Sequence, residues 1–283
     1  MSRSHPVNRF ELAFFALTMM TMILDIYKDV GYHPSFEENS ADREASIAKL
    51  GNHHPLDEVI WRSLTSVQRP MAQGNGHARR YPARVAPFAA PIDFTPRSFQ
   101  SLLGLMERGD DRIALFTPGE IAPPAPFSVV RRERVDQMVL VDAQACTSPI
   151  ASGIELLGKP DIPAMLALAE ATKPGPFGPR TIELGRYVGV RREDRLVAMA
   201  GERMRLTGFT EISAVCVDPA YRGQGLAASM IFALVAPILD RSETPFLHAF
   251  SSNRPAIALY QRLGFVLRRQ MHLAVLGVDT DIS

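Results

Sequence analysis

One stretch constrains this chain more than any other. It begins as an apolar, β-branched run from Ile212 to Val217, breaks at Asp218-Pro219, turns through Arg222-Gly223-Gln224-Gly225 and continues as a long apolar run from Leu226 to Leu239. The first run has the residue types of a buried strand. Proline cannot continue a central ladder, so Pro219 ends it. The last run has the length and periodicity of a helix. A glycine-rich turn between strand and helix is suited to anions. Glycine has no Cβ, so a ligand can approach the backbone closely. The first N–H groups of a helix lack internal partners and sit at the positive end of its dipole, and phosphate oxygens satisfy both conditions. Two common phosphate loops are excluded. There is no Gly-x-x-x-x-Gly-Lys-Ser/Thr, and Gly223-x-Gly225 lacks the third glycine and the downstream acid of a dinucleotide site.

The spacing that remains is Arg222-x-x-Gly225-x-Ala227. It resembles the pyrophosphate-binding motif of the GNAT superfamily of acyl-CoA-dependent N-acyltransferases. A later stretch, Asn253 to Phe265, resembles the other acyl-CoA motif of that superfamily, Asn-x-x-Ala-x-x-Leu-Tyr-x-x-x-Gly-Phe. Its residues predict a short helix. Asn253 is at the N-cap, and Pro255 lies in the first turn, where it is tolerated. Ala256, Leu259 and Leu263 share one face, and Gly264 suits a left-handed stop.

Composition narrows the class. The chain has 283 residues, 46% hydrophobic and 22% charged, enough for one large domain or two modest ones with a sizeable core. Its net charge of +1 gives no support for nucleic-acid binding. Cys146 and Cys216 are the two cysteines, far apart, so a disulfide framework is not expected and a reduced, cytoplasmic setting is. Cys216 lies inside the predicted strand, as a small buried hydrophobe rather than a nucleophile. The histidines show no metal-ligand spacing, so no metal is expected.

Residues 1–54 read as an extension and linker without an assigned function. Leu12–Leu24 is apolar but too short to span a bilayer comfortably. Glu11 breaks the basic flank of a signal peptide, and no cleavage site follows. A packing helix there, or a true start at Met19, Met20 or Met22, fits the residues equally. Stable membrane insertion is not expected.

Residues 55–145 predict a smaller α+β domain. It has a helix over Leu56–Leu64, strands near Ala78–Tyr81 and Ala86–Phe88, and a helix from Thr95-Pro96 through Met106. Strands follow at Ile113–Phe116 and Phe127–Val141. In layout this resembles the degenerate amino-terminal half of the two-domain glycine N-acyltransferase-like branch of the superfamily. An unrelated accessory domain is the alternative.

Residues 152–277 predict the catalytic domain. The order is strand (Ile154–Leu157), helix to about Thr172, the loop Lys173–Pro179, a short helix at Thr181, a hairpin of Arg186–Arg191 and Leu196–Leu206, and a strand over Thr210–Val217. The phosphate helix, a strand at Phe246–Phe250, the Tyr260 helix and a closing strand at Val266–Leu276 complete it. This order matches the GNAT fold. The fold class expected is therefore α+β, layered, with a central mixed, mostly antiparallel sheet flanked by helices.

The resemblance also implies roles. The backbone of Gly223, Gln224, Gly225, Leu226 and Ala227 would hold the pyrophosphate of acetyl-CoA or another acyl-CoA, with Arg222 shaping the turn. The backbone of Val215 and Val217 would pair with the pantetheine arm as an added strand does, an N–H near Val217 would polarise the thioester, and Asn253 would hydrogen-bond the arm. A neutral amine would attack the thioester directly, which calls for a base and an acid. Tyr260, protonated at neutral pH, is the candidate acid. Glu211 and Glu202 are the candidate bases. The acceptor expected is a small-molecule primary amine beneath the Lys173–Thr181 loop, near Phe177, Lys173 and Arg180; a purely structural loop fits those residues equally. A non-catalytic acyl-CoA-binding or regulatory module is the alternative function.

Overall fold

Leu196 to Met204 is apolar or small at most positions, and every residue of that run is buried. A strand covered on both faces has this signature, and the fold is assembled around it. The computed structural model describes residues 54–107, 110–146 and 152–278. The predicted stretch Leu12–Leu24 and the linker up to residue 53 lie outside the described residues.

A 3-10 turn at Pro55–Glu58 leads into α1 (Val59–Thr65), followed by β1 (Gln73–Gly74), β2 (Ala78–Arg80), β3 (Ala89–Pro91), α2 (Pro96–Leu103), β4 (Ile113–Thr117) and β5 (Phe127–Leu140). Then come β6 (Ile154–Leu157), α3 (Ile162–Thr172), a 3-10 turn at Thr181–Leu184, β7 (Tyr187–Arg192), β8 (Arg195–Leu206), β9 (Phe209–Val217), α4 (Leu226–Leu239), β10 (Thr244–Phe250), α5 (Arg254–Arg262) and β11 (Phe265–Val278). Strands β1-β2-β3 form a small sheet. The main sheet has eight strands in the order β4-β11-β5-β10-β9-β8-β7-β6. Its β9–β10 pair is parallel and its other pairs are antiparallel.

Alternation along β10 assigns the faces. Leu247 and Ala249 point into a core with Met230, Leu234, Tyr260 and Leu263 of α4 and α5. Phe246 points the other way, into a core with Leu56, Val59 and Ile60 from the α1 region. No helix among the described residues is long and apolar enough to cross a membrane.

Three expectations need correction. The division at 55–145 and 152–277 does not separate two sheets. β5 lies between β10 and β11, and β4 forms the outer edge beyond β11. The carboxy-terminal half of β5, Val135–Leu140, is buried at every residue. Such a strand needs cover on both faces and partners on both edges, which the main sheet supplies. The predicted strand Ala86–Phe88 is displaced: β3 begins at Ala89, and Phe88 makes an isolated bridge to Ala114. The helix predicted through Met106 stops at Leu103, capped by Gly104.

Candidate active site

The site begins at the turn after β9. The Asp218 side chain accepts a hydrogen bond from the Ala220 N–H at 2.9 Å and opens a 3-10 turn over Pro219–Tyr221. Gly223 and Gly225 then take left-handed φ angles of 77° and 75°, and the space where a Cβ would stand is open at both. Gly225 is the N-cap of α4 and supplies no side-chain cap, so the first amides of that helix face outward. Arg222 Nε donates to the Val217 carbonyl at 3.3 Å, tying the turn to the strand end. A pyrophosphate fits this cradle: bare backbone, outward amides, and Arg222 and Arg262 both on the cleft wall.

From the turn, one continuous cleft of about 1740 Å³ runs inward. It exists because β9 and β10 part company. Their pairing covers Thr244–Phe209, Pro245–Thr210 and Phe246–Glu211, and goes no further. Beyond that point β9 continues to Val217 and β10 to Phe250, with the β10-facing edge of β9 left unladdered. Ala214 adds to the divergence. It sits at φ 51°, where the β8–β9 register slips between Met199–Cys216 and Gly201–Ser213. This is a bulge, which bends its strand. Val215 and Val217 are half-buried on this stretch and line the cleft.

Tyr260 lines the cleft from α5, 8% exposed and edge-on to Phe265 at 6.3 Å. Burial pushes its phenol up to about 12, so it holds its proton at any physiological pH. Asn253 caps α5 through its side-chain oxygen, which accepts from the Ala256 N–H at 3.3 Å. Its amide N–H groups have no partner among the described residues and stand at the cleft wall. Cys216 is buried, and burial raises its thiol to about 11, so no thiolate is available there.

The two candidate bases are elsewhere. Glu202 does not line the cleft. It is buried against Gly185 and paired with Arg241 at 2.9 Å. Glu211 is fully buried and fully engaged. Arg203 grips both its oxygens, Nη2 at 2.5 Å and Nε at 2.9 Å, while His248 Nδ1 and the Met204 N–H add 2.8 Å and 3.3 Å contacts. Burial alone would raise its pKa, but the Arg203 charge and hydrogen bonds prevail and hold it at about 2. A carboxylate so held is a poor proton acceptor. Of the expected acceptor-loop residues, Phe177 and Lys173 line the cleft. Arg180 does not, and its guanidinium pairs with Glu183 at 2.7 Å.

Three groups escaped the sequence reading. Arg203, His248 and Phe116 all line the cleft on the α1 face. His248 stacks on Phe116 at 4.6 Å, Gln137 Nε2 lies 3.0 Å from its Nε2, and the Arg203 guanidinium lies over the Phe88 ring at 4.8 Å. The hairpin spacing of Arg203 and Glu211 was a usable signal for that pair. Nothing local in the sequence pointed to His248 or Phe116.

The cleft is thus lined from both sides of the sheet, Tyr260 and Leu263 on the α4–α5 face, Phe116 and His248 on the other. Comparisons with known proteins agree with this architecture. Residues 187–273 match the family model described as FR47-like protein. A solved GNAT-family acetyltransferase from Novosphingobium aromaticivorans is 41% identical with a TM-score of 0.75, covering 81% of this chain and 100% of its own. The [ribosomal protein bS18]-alanine N-acetyltransferase of Salmonella typhimurium is 29% identical over 46% of this chain and 93% of its own. The N-alpha-acetyltransferase RimI of Mycobacterium tuberculosis is 35% identical over 33% of this chain, a match that spans 61% of that relative. Glycine cradle, parted strands and phenol at the cleft wall, together with these likenesses, place the chain in the GNAT family of acyl-CoA-dependent N-acetyltransferases.

Proposed function

We propose that the protein moves an acetyl group from acetyl-CoA to the primary amine of a small molecule, by direct attack and without an acyl-enzyme. One observation carries this reading: a single cleft joins the glycine cradle at Gly223–Gly225 to Tyr260 and passes between β9 and β10 to the opposite face. A coenzyme held at the cradle and along the open edge of Val215 and Val217 has its reactive end within the sheet, and an acceptor can approach from the other side.

The residues divide the work. The α4 amides and Arg222 bind phosphate, the Asn253 amide and the β9 edge orient the arm, and Tyr260 offers a proton to the departing thiolate. Walls from Phe88, Phe116 and Val135 support a compact acceptor rather than an extended chain. With Glu211 held by Arg203, and Glu202 away from the cleft, deprotonation of the amine falls to water. On that basis kcat/KM should rise with pH until the acceptor amine's own pKa is reached. Two buried, unpaired thiols are in keeping with a cytoplasmic enzyme.

Free-thiol release from acetyl-CoA across a panel of amines tests the reading. A non-catalytic acyl-CoA-binding module would bind CoA and release none. In Tyr260→Phe, kcat should fall about 10²-fold or more with a much smaller change in the KM for acetyl-CoA. Wild-type turnover in that variant would remove Tyr260 as the acid.

A further inference from the structure

Past the opening between β9 and β10, strand register assembles a patch on the α1 face. Phe116 of β4 stands opposite Leu273 of β11, and Ala114 opposite Val275. Residues two apart on a strand share a face, so these four side chains are neighbours. Phe116, Leu273 and Val275 are partly exposed, and all three line the cleft. Phe116 also lies 5.4 Å from Phe88 and stacks on His248.

The carboxylates near this end are already engaged by arginines. Arg203 spends Nε and Nη2 on Glu211, and its Nη1 has no protein partner among the described residues. Arg131 adds a second guanidinium on the cleft wall, 5.4 Å over the Phe250 ring, with its Nη2 paired to Glu133 at 2.9 Å. Among the described residues, the one carboxylate lining the cleft is Glu170, which faces Lys173 at 3.8 Å in the α3 region.

We infer that the acceptor is a primary amine with a compact apolar or aromatic body and no second positive charge, selected by the Phe116–Leu273–Val275 wall opposite the parted strands. This rests on the transferase reading above. An apolar body gains by leaving water for that wall. A second cationic group would lose hydration and find no free carboxylate on this wall, since Glu211 and Glu133 are held by Arg203 and Arg131.

The test measures thiol release by the intact protein with acetyl-CoA and 2-phenylethylamine, propylamine, spermidine or a peptide beginning with alanine. The expected result is a kcat/KM for 2-phenylethylamine at least about tenfold above that for propylamine or spermidine, and above that for the peptide. Phe116→Ala should draw the phenylethylamine-to-propylamine ratio toward one, with CoA affinity retained in calorimetry as a check of folding. Should that variant not fold, Val275→Ser on the neighbouring strand should move the same ratio. Equal use of propylamine, or preference for spermidine or the peptide, overturns the selective wall while leaving acyl transfer in place. No thiol release with any amine, despite CoA binding, removes both readings together.

Discussion

Glu211 accepts four hydrogen bonds, from Nε and Nη2 of Arg203, the Met204 N–H and the His248 ring, and is fully buried. The family resemblance suggested a base here, and its partners make it an anchor for Arg203. Its pKa is lowered from 4.5 to about 2. A depressed carboxylate pKa contributes stability that is present above the unfolded value and is lost as pH falls toward the folded one. The fold should therefore weaken between about pH 4.5 and pH 2, as read by urea unfolding along a pH series. Glu211→Gln should flatten that dependence. It should also cost about 3–5 kcal/mol at pH 7, because it strands the buried Arg203 cation. Were Glu211 instead a free base, the variant would lose turnover with little change in stability.

The turn and α4 are the element proposed to hold the coenzyme. Gly225 combines a left-handed φ with open space at the missing Cβ. Gly225→Asp should thus cost only about 1 kcal/mol of backbone strain, while placing a carboxylate where phosphate oxygens would sit. Calorimetry should show CoA binding abolished with a modest change in Tm; normal affinity would remove the phosphate turn from the site. This element and α5 were legible in the sequence because their geometry is local. Two glycines, a proline break and an Asn cap fix them within a dozen residues. The parting of β9 and β10 was not legible from the residues themselves, because it arises from a register that stops at Glu211–Phe246 and a bulge at Ala214. The likeness to a known superfamily implied that Val215 and Val217 would pair with a coenzyme arm. His248 and Phe116 come together only through pairing between strands distant in the chain, which no spacing reports.

At the scale of the whole molecule, the sequence order of elements suggested two domains, and strand pairing joins them. β5 runs along β11 from Phe127–Val278 to Leu140–Phe265, and along β10 from Val135–Phe250 to Val139–Phe246. Its own run of helices and strands made 55–145 look self-contained, but the buried end of β5 has its partners more than a hundred residues downstream. That long-range pairing carries the proposed acceptor wall with it, since Phe116 and Arg131 reach the cleft only because β4 and β5 flank β11. A fragment beginning at residue 152 would leave β10 with one unpaired edge and β11 with two, and uncovered apolar faces on both, conditions that favour aggregation. Such a fragment, expressed alone, should be insoluble or lack CoA affinity, and co-expression with residues 54–146 should restore both solubility and binding. A monomeric 152–283 fragment that binds CoA on its own would show instead that the catalytic half stands alone, with β5 merely docked between its strands.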